Sequence, residues 1–264
     1  MCMKQNADSP SASFDFREPR IFLILFTVLL VAVLLFYCIT SMVTSVGYQT
    51  FAEAEHPAGL LEGESFALTI ILDAGHGGED PGAVANGLDE KVLNLSITNK
   101  IAEFLKLSGY NVVLTRSDDR LLYNSGEENR KKYYDLYNRL KFAETFSDAI
   151  FISIHMNKFP MESCKGLQTF YSMNDPRSAV LAEALQSAST LVMPDNRRTI
   201  KSDNRTIFLL KNLQIPAVIV ECGFLSNSQD AHNLADAEYQ DKLAFALASG
   251  IGQYCEKIQE EKRS

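Results

Sequence analysis

The sequence predicts an α/β protein: a single-domain sandwich with a mostly parallel central sheet flanked by helices, preceded by one N-terminal transmembrane helix. Three observations support this fold class. From residue 67 to about residue 254, short apolar segments alternate with amphipathic segments of helical length, a pattern typical of strand–helix units in a parallel sheet. A long apolar segment without charges precedes them. No internal repeat or further folded module is evident.

The first predicted element is the apolar segment 21–43, which carries no charged side chain. About 20 apolar residues are enough to cross a bilayer. The segment exceeds the apolar part of a typical signal peptide, and no clear cleavage site follows it. We therefore expect an uncleaved signal anchor, with cleavage as the alternative. Three basic residues precede the segment and the next one is Lys91, so the positive-inside rule places the N-terminus in the cytoplasm.

These features divide the chain into five parts and predict a membrane-anchored protein whose folded domain is extracytoplasmic. The parts are a cytoplasmic tail (1–20), the anchor (21–43), a linker (44–66), the folded domain (67–258) and a charged tail (259–264). The net charge of −8 argues against a nucleic-acid partner, because the phosphate backbone attracts basic proteins. The sparse cysteines after the anchor do not predict a disulfide framework.

The first half of the folded domain is predicted to alternate strand, helix, strand and helix. Residues 68–72 are aliphatic, as in a buried strand. In residues 88–107 apolar side chains recur every fourth position, which predicts a helix, and Gly109 is placed to end it. Residues 111–115 form the second predicted strand. A polar loop separates it from a second helix at 128–146.

The second half continues the alternation. The segment 149–154 is apolar on both faces, which predicts a central strand. Pro176 suits the start of the following helix. The remaining predicted elements are a strand at 167–171, a helix at 179–193, a short strand or helix end at 206–210, a buried strand at 217–220 and a last amphipathic helix at 237–259.

Four polar residues lie where these apolar segments begin or end. His76 follows the first strand inside a glycine turn, His155 follows the third strand, Glu221 follows the 217–220 strand, and Glu90 opens the first helix. The carboxyl ends of parallel strands share one edge, so these side chains should converge there. Two imidazoles and a carboxylate are typical ligands of catalytic zinc, and a second carboxylate can act as a general base. Each residue alone also has an ordinary structural explanation, so the prediction depends on their convergence.

Three neighbouring features of the sequence bear on this prediction. The glycines around His76 are expected to leave space for a bulky substrate. Asp73 and Ser153 are close enough in sequence to orient the imidazoles. Cys222 is interpreted as a small buried apolar residue rather than a nucleophile, because no histidine remains to activate it.

Four segments resemble one enzyme family: ILDAGHGGEDPGAV, LDEKVLNL, DLYNRLKFAETFSDAIFISIHMNK and IPAVIVECGFLSNSQD. In this order, over nearly all of residues 67–255, they resemble the zinc-dependent N-acetylmuramoyl-L-alanine amidases of the amidase-3 family. The resemblance implies that His76, Glu90 and His155 bind Zn²⁺ and that Glu221 is the catalytic acid/base. Arg116 and Arg139 also have family counterparts, for which structural ion pairing is the expected role.

Within that family, the chain is most similar to the CwlD-type germination and spore-cortex amidases, which have a single anchor and one catalytic domain. The similarity implies hydrolysis of the amide between N-acetylmuramic acid and L-alanine in spore cortex, before muramic δ-lactam forms. The expected partners are peptidoglycan glycan strands with stem peptides and the membrane, and the sequence leaves open whether a protein partner is required. Two alternatives also stay open: a zinc peptidase that cleaves within the stem peptide, and a catalytically silent wall-binding protein.

Overall fold

The structure is a computed structural model that describes residues 68–203 and 206–263. The predicted anchor at 21–43, the linker and the N-terminal tail lie outside these residues. No helix in the described part of the chain combines the length and the apolar character that a membrane span needs. The membrane anchor and its orientation therefore remain predictions from the sequence.

The described residues form eight strands and six α-helices. The strands are β1 (Thr69–Ala74), β2 (Val84–Ala85), β3 (Leu88–Asp89), β4 (Asn111–Leu114), β5 (Ala149–Asn157), β6 (Gln168–Tyr171), β7 (Lys201–Ser202) and β8 (Ala217–Phe224). The helices are α1 (Glu90–Leu107), α2 (Lys131–Glu144), α3 (Arg177–Ala188), α4 (Phe208–Asn212), α5 (Ser228–Ala235) and α6 (Ala237–Arg263).

Six of these strands form the central sheet, in the order β4-β1-β5-β8-β6-β7. Strands β4, β1, β5 and β8 are parallel to one another. Strand β6 is antiparallel to β8, and β7 is parallel to β6. The predicted α/β class, with a mostly parallel sheet flanked by helices, is therefore confirmed, and the carboxyl ends of β1, β5 and β8 meet at one edge.

Alternating side chains of the strands divide the core into two layers. Ile70, Leu72 and Ile152 pack on one face with apolar residues of α1, α3 and α6. Ile71 and Phe151 pack on the other face with residues of α2 and α4. Both faces of β1 and β5 are covered, which explains their continuous aliphatic sequence.

The structure differs from the sequence prediction mainly at element ends. Strands β5 and β8 extend past the aliphatic segments, so His155 and Glu221 lie within strands, as paired positions. The backbone ladder continues here although the side chains become polar. The hairpin β2–β3, strand β7 and helix α5 were not predicted, and residues 206–210 lead into α4. Helix α6 also continues through part of the predicted charged tail.

Candidate active site

His76 lies in the turn that follows β1, at the carboxyl edge of the sheet. Its backbone φ is 61°, in the left-handed region that non-glycine residues seldom adopt. The N–H of Gly75 donates to the carbonyl of Ile154 at 3.1 Å, so the ladder with β5 continues up to this point. The turn places the His76 imidazole 5.0 Å, between ring centroids, from that of His155.

Glu90 is the first residue of α1, and its side chain is almost completely buried. Its Oε2 accepts the N–H of Ala83 at 2.7 Å and its Oε1 accepts the N–H of Met156 at 3.0 Å. Oε1 also lies 2.9 Å from Nδ1 of His155 and 3.3 Å from Nε2 of His76. Burial alone would raise the pKa of Glu90, but the two histidines outweigh it and hold this pKa well below its usual range.

The structure therefore brings three predicted residues into one cluster. His76, Glu90 and His155 each offer a ligand atom, and these atoms all lie within 4.8 Å of one another. Two imidazole nitrogens and a carboxylate oxygen are the donor set of many catalytic zinc sites. The chemistry and the proximity of these donor atoms fit a divalent ion of that kind.

Glu221 lies on β8 directly opposite His155 on β5. Because register partners on neighbouring strands project from the same face, this carboxylate adjoins the three-residue cluster. Its Oε2 is buried and has no hydrogen-bond partner among the described residues. Burial raises the pKa of Glu221 to about 7; His155 opposes this shift, and the charge of Glu90 adds to it.

Two further side chains at the site were not singled out from the sequence. Oδ2 of Asp80 lies 2.8 Å from Nδ1 of His76. Asn94 donates from Nδ2 to the carbonyl of Gly75 at 3.0 Å and to Oε1 of Glu90 at 3.3 Å. Spacing offered a signal for both: Asp80 lies four residues after the histidine in a tight turn, and Asn94 lies one helical turn after the glutamate.

The glycines of the turn serve the site's own side chains rather than a substrate. A Cβ on Gly75 would lie 2.1 Å from Nε2 of His155, and a Cβ on Gly82 would lie 2.4 Å from Oε2 of Glu90. A Cβ on Gly77 would lie 2.2 Å from a backbone carbonyl oxygen of the loop before α2. All three distances are far below van der Waals contact. The expectation that these glycines keep an open path for substrate is therefore replaced by a packing role.

Asp73 and Ser153 do not contact the imidazoles but hydrogen-bond to each other. Oγ of Ser153 donates to Oδ2 of Asp73 at 2.6 Å, and Oγ1 of Thr115 donates to Oδ1 at 2.5 Å. Arg139 completes the group by pairing with the same carboxylate. Burial alone would raise the pKa of Asp73, but Arg139 and the two hydroxyls outweigh it and keep this pKa below its usual range.

Two buried arginines hold the backbone of the His76 turn. Arg139 donates from Nη1 to the carbonyl of Ala74 and from Nη2 to that of His76, both at 2.8 Å. Arg116 donates from Nε to Ala74 at 2.8 Å and from Nη2 to the carbonyl of Gly75 at 3.0 Å. Structural ion pairing is found for Arg139, whereas Arg116 mainly binds backbone carbonyls.

Cys222 follows Glu221 but faces the core. Its side chain is fully buried, and burial raises the pKa of its thiol, which opposes formation of a reactive thiolate. The interpretation of Cys222 as a small buried apolar residue is therefore supported. In the described part of the chain, Cys164, Cys222 and Cys255 are all free thiols.

With this geometry established, comparison with known proteins identifies the family. The amidase-3 family, described as N-acetylmuramoyl-L-alanine amidase, matches residues 70–253. The chain belongs to this family. It is therefore an N-acetylmuramoyl-L-alanine amidase, an enzyme that cleaves the N-acetylmuramic acid–L-alanine linkage of peptidoglycan.

Individual amidases and related proteins are also similar to this chain in sequence or structure. The germination-specific N-acetylmuramoyl-L-alanine amidase of Bacillus subtilis (strain 168) is 34% identical over 187 residues, covering 70% of this chain and 78% of the relative. YqiI of the same strain is 35% identical over 207 residues, covering 78% and 91%. The CwlD amidase from Clostridioides difficile, solved in complex with the GerS lipoprotein, is 40% identical with a TM-score of 0.68, covering 72% and 98%. The predicted similarity to CwlD-type amidases is confirmed.

The Asp73–Arg139 pair predicts a large stability effect. We expect Arg139→Met to lower the free energy of unfolding by about 3–5 kcal/mol, because it leaves a buried carboxylate unpaired. The double variant with Asp73→Asn should be less destabilised than the sum of the two single variants. Urea unfolding measures both quantities.

Lys141→Met is the matched control on the same helix. Lys141 pairs with Glu144 at the surface, so its loss should change the free energy of unfolding by less than about 1 kcal/mol. Additive effects of Asp73→Asn and Arg139→Met would show that the pair is not coupled.

Proposed function

We propose that this amidase is zinc-dependent, with His76, Glu90 and His155 as the Zn²⁺ ligands and Glu221 as the catalytic acid/base. The observation that carries the proposal is the cluster of three donor atoms within 4.8 Å of one another, with a buried, unpaired carboxylate oxygen in the adjoining strand. A structural role alone does not explain that oxygen, because burying an unpaired polar atom costs free energy.

The chemistry follows from the two glutamates. Zn²⁺, when bound, supplies a Lewis acid for hydrolysis of the amide. Glu90, with its depressed pKa, contributes a negative charge to the ligand set. Glu221, with a pKa near 7, is suited to take a proton from the attacking water and deliver it to the departing amine of L-alanine. One catalytic group can therefore serve both steps at neutral pH.

We infer that the substrate is spore-cortex peptidoglycan and that cleavage precedes muramic δ-lactam formation. The germination-specific relative and the CwlD amidase support this assignment. The complex of that CwlD amidase with the GerS lipoprotein also supports the proposal that a lipoprotein partner assists this enzyme. The predicted membrane anchor would hold the catalytic domain on the extracytoplasmic side, where the cortex is built.

Replacement of Glu221 should separate catalysis from metal binding. We expect Glu221→Gln to lower kcat by at least about 10²-fold, because the proton acceptor is lost, while zinc remains stoichiometric. Glu90→Gln should lose both zinc and activity. Metal analysis and peptidoglycan digestion measure these quantities, and mass spectrometry should find free lactyl ends on muramic acid.

Two results would contradict this proposal. Full activity in Glu221→Gln would exclude its catalytic role. New ends within the stem peptide, with intact muramoyl–alanine bonds, would identify a peptidase instead.

Asp80 should tune zinc affinity by fixing the ring of His76. We expect Asp80→Asn to weaken zinc binding by about 10- to 100-fold, as for other carboxylates that hydrogen-bond a metal-bound histidine. Competition with a chromogenic chelator measures the affinity. Glu79→Gln is the matched control, because this neighbouring carboxylate is exposed and pairs with Lys131. Equal zinc affinity of Asp80→Asn and the unsubstituted protein would contradict this role.

The cortex assignment predicts a specific wall phenotype. We expect deletion of the gene in its own organism to remove muramic δ-lactam from spore cortex and to leave vegetative peptidoglycan unchanged, because the amide must be cleaved before the lactam closes. Muropeptide analysis measures both, with the Glu221→Gln variant as a complementation control. Altered vegetative peptidoglycan with normal cortex would assign the enzyme to the other substrate.

A further inference from the structure

A cavity with basic side chains in its lining adjoins β6, because Arg198 in its wall contacts Gln168. Its volume is about 590 Å³, and it lies between residues 163–166, residues 192–198 and helix α5. Three basic side chains line it, although the chain as a whole carries a net charge of −8. These side chains are Lys165, Arg197 and Arg198. The carboxylates in the lining are Asp195 and Asp230.

Asp230 is engaged elsewhere. Its Oδ2 accepts the backbone N–H of Gly166 at 2.8 Å and that of Phe224 at 2.9 Å. Asp230 therefore links the cavity wall to the end of β8 through backbone N–H groups and does not pair with a basic side chain of the lining. Within residues 68–203 and 206–263, no carboxylate pairs with Arg198.

Arg198 is fixed in place by three contacts. Its Nε donates to the carbonyl of Lys165 at 2.7 Å, and its Nη1 donates to Oε1 of Gln168 at 3.0 Å. Its guanidinium lies over the ring of Phe224, 4.4 Å from the centroid. The described residues provide no hydrogen-bond acceptor for Nη2. The side chain is only partly buried, so a pre-oriented donor remains accessible.

Gln168 connects this guanidinium to the catalytic edge. It is the register partner of Glu221 across β6 and β8, just as His155 is the partner of Glu221 across β5 and β8. The proposed metal ligands therefore lie on one side of Glu221, and Gln168 with Arg198 lies on the other. This order of residues along the edge of the sheet sets the direction in which the stem peptide of the substrate would extend.

The departing amine must lie near Glu221, which protonates it, and the scissile carbonyl must lie towards the metal ligands. The peptide that follows the amine then extends away from the metal, towards Gln168 and Arg198. Stem peptides carry free carboxylates beyond their first residue. A fixed guanidinium is the side chain best suited to bind a carboxylate, through paired hydrogen bonds.

We propose that Arg198 binds a carboxylate of the stem peptide and makes the enzyme selective for substrates in which that carboxylate is free rather than amidated. This inference rests on the proposed amidase mechanism, which sets the direction of the peptide. Arg198 acts in substrate recognition and takes no part in bond cleavage.

The test uses the full chain and glycan strands that bear matched stem peptides. One set has a free α-carboxylate on the second residue of the stem peptide, and the other has a carboxamide at that position. We expect the unsubstituted enzyme to favour the free carboxylate by roughly 10-fold in kcat/KM, as for a hydrogen bond to a charged group. Arg198→Gln should remove this preference, so that its kcat/KM values for the two strand types become equal, and its remaining cleavage of both strand types shows that the variant is folded. Arg198→Lys should keep part of the preference.

Lys257→Gln is the charge-matched control. Lys257 is exposed and lies five residues before Lys262 on α6, and Lys262 pairs with Asp148 at the opposite edge of the sheet, so this variant should keep the full preference. Calorimetry with the free stem peptide supplies a readout without turnover, and Arg198→Gln should bind that peptide more weakly than Lys257→Gln does.

The possible results distinguish a failure of the carboxylate site from a failure of the proposed amidase mechanism. Cleavage of both strand types at equal rates by the unsubstituted enzyme would overturn the carboxylate site and leave the amidase assignment intact. A preference retained in Arg198→Gln would also overturn it. Failure to cleave either set would overturn the proposed function and the carboxylate site with it.

Discussion

The buried ion pair between Asp73 and Arg139 is the constraint on which the site depends. His76 occupies a left-handed backbone conformation, and such conformations persist only when surrounding structure determines them. Arg139 holds His76 in this conformation, because it binds Asp73 at the end of β1 and also the carbonyls of Ala74 and His76. Burying two charges costs free energy that their attraction offsets only in good geometry. Here the arginine of the pair also donates hydrogen bonds to the carbonyls of Ala74 and His76, where the chain leaves the sheet. The pair therefore fixes the position of the turn in addition to contributing to stability.

The fixed turn then allows elements that are distant in sequence to form one site. The β1 turn, the end of β5, the end of β8 and the first residue of α1 all reach the carboxyl edge of the parallel sheet. Close approach is possible because Gly75 and Gly82 leave space for His155 and Glu90. The glycines, the arginines and the donor cluster are therefore parts of one packing arrangement.

The fold class and the convergence of His76, Glu90, His155 and Glu221 were predictable because both follow from a simple rule: parallel strands end at one edge. The contacts of Asp80 and Arg198 were not predictable because they depend on how loops are placed beside the sheet, and helix α5 was missed because its polar sequence resembles a loop. The packing role of the glycines was not predictable either, since a sequence shows where a side chain is missing but not which atom occupies the space. The continuation of β5 through His155 was missed because backbone pairing persists after the apolar pattern ends.

The two glutamates show how this edge of the sheet gives identical side chains different acidities. Glu90 sits at a helix N-terminus, accepts two backbone N–H groups and adjoins both imidazoles, so its ionised form is stabilised. Glu221 is less buried as a residue, but its Oε2 is buried without a donor among the described residues, and burial raises its pKa to about 7. Environments that separate the pKa values of neighbouring carboxyls assign them different roles. The different acidities of the two carboxyls therefore follow from where α1 and β8 place them.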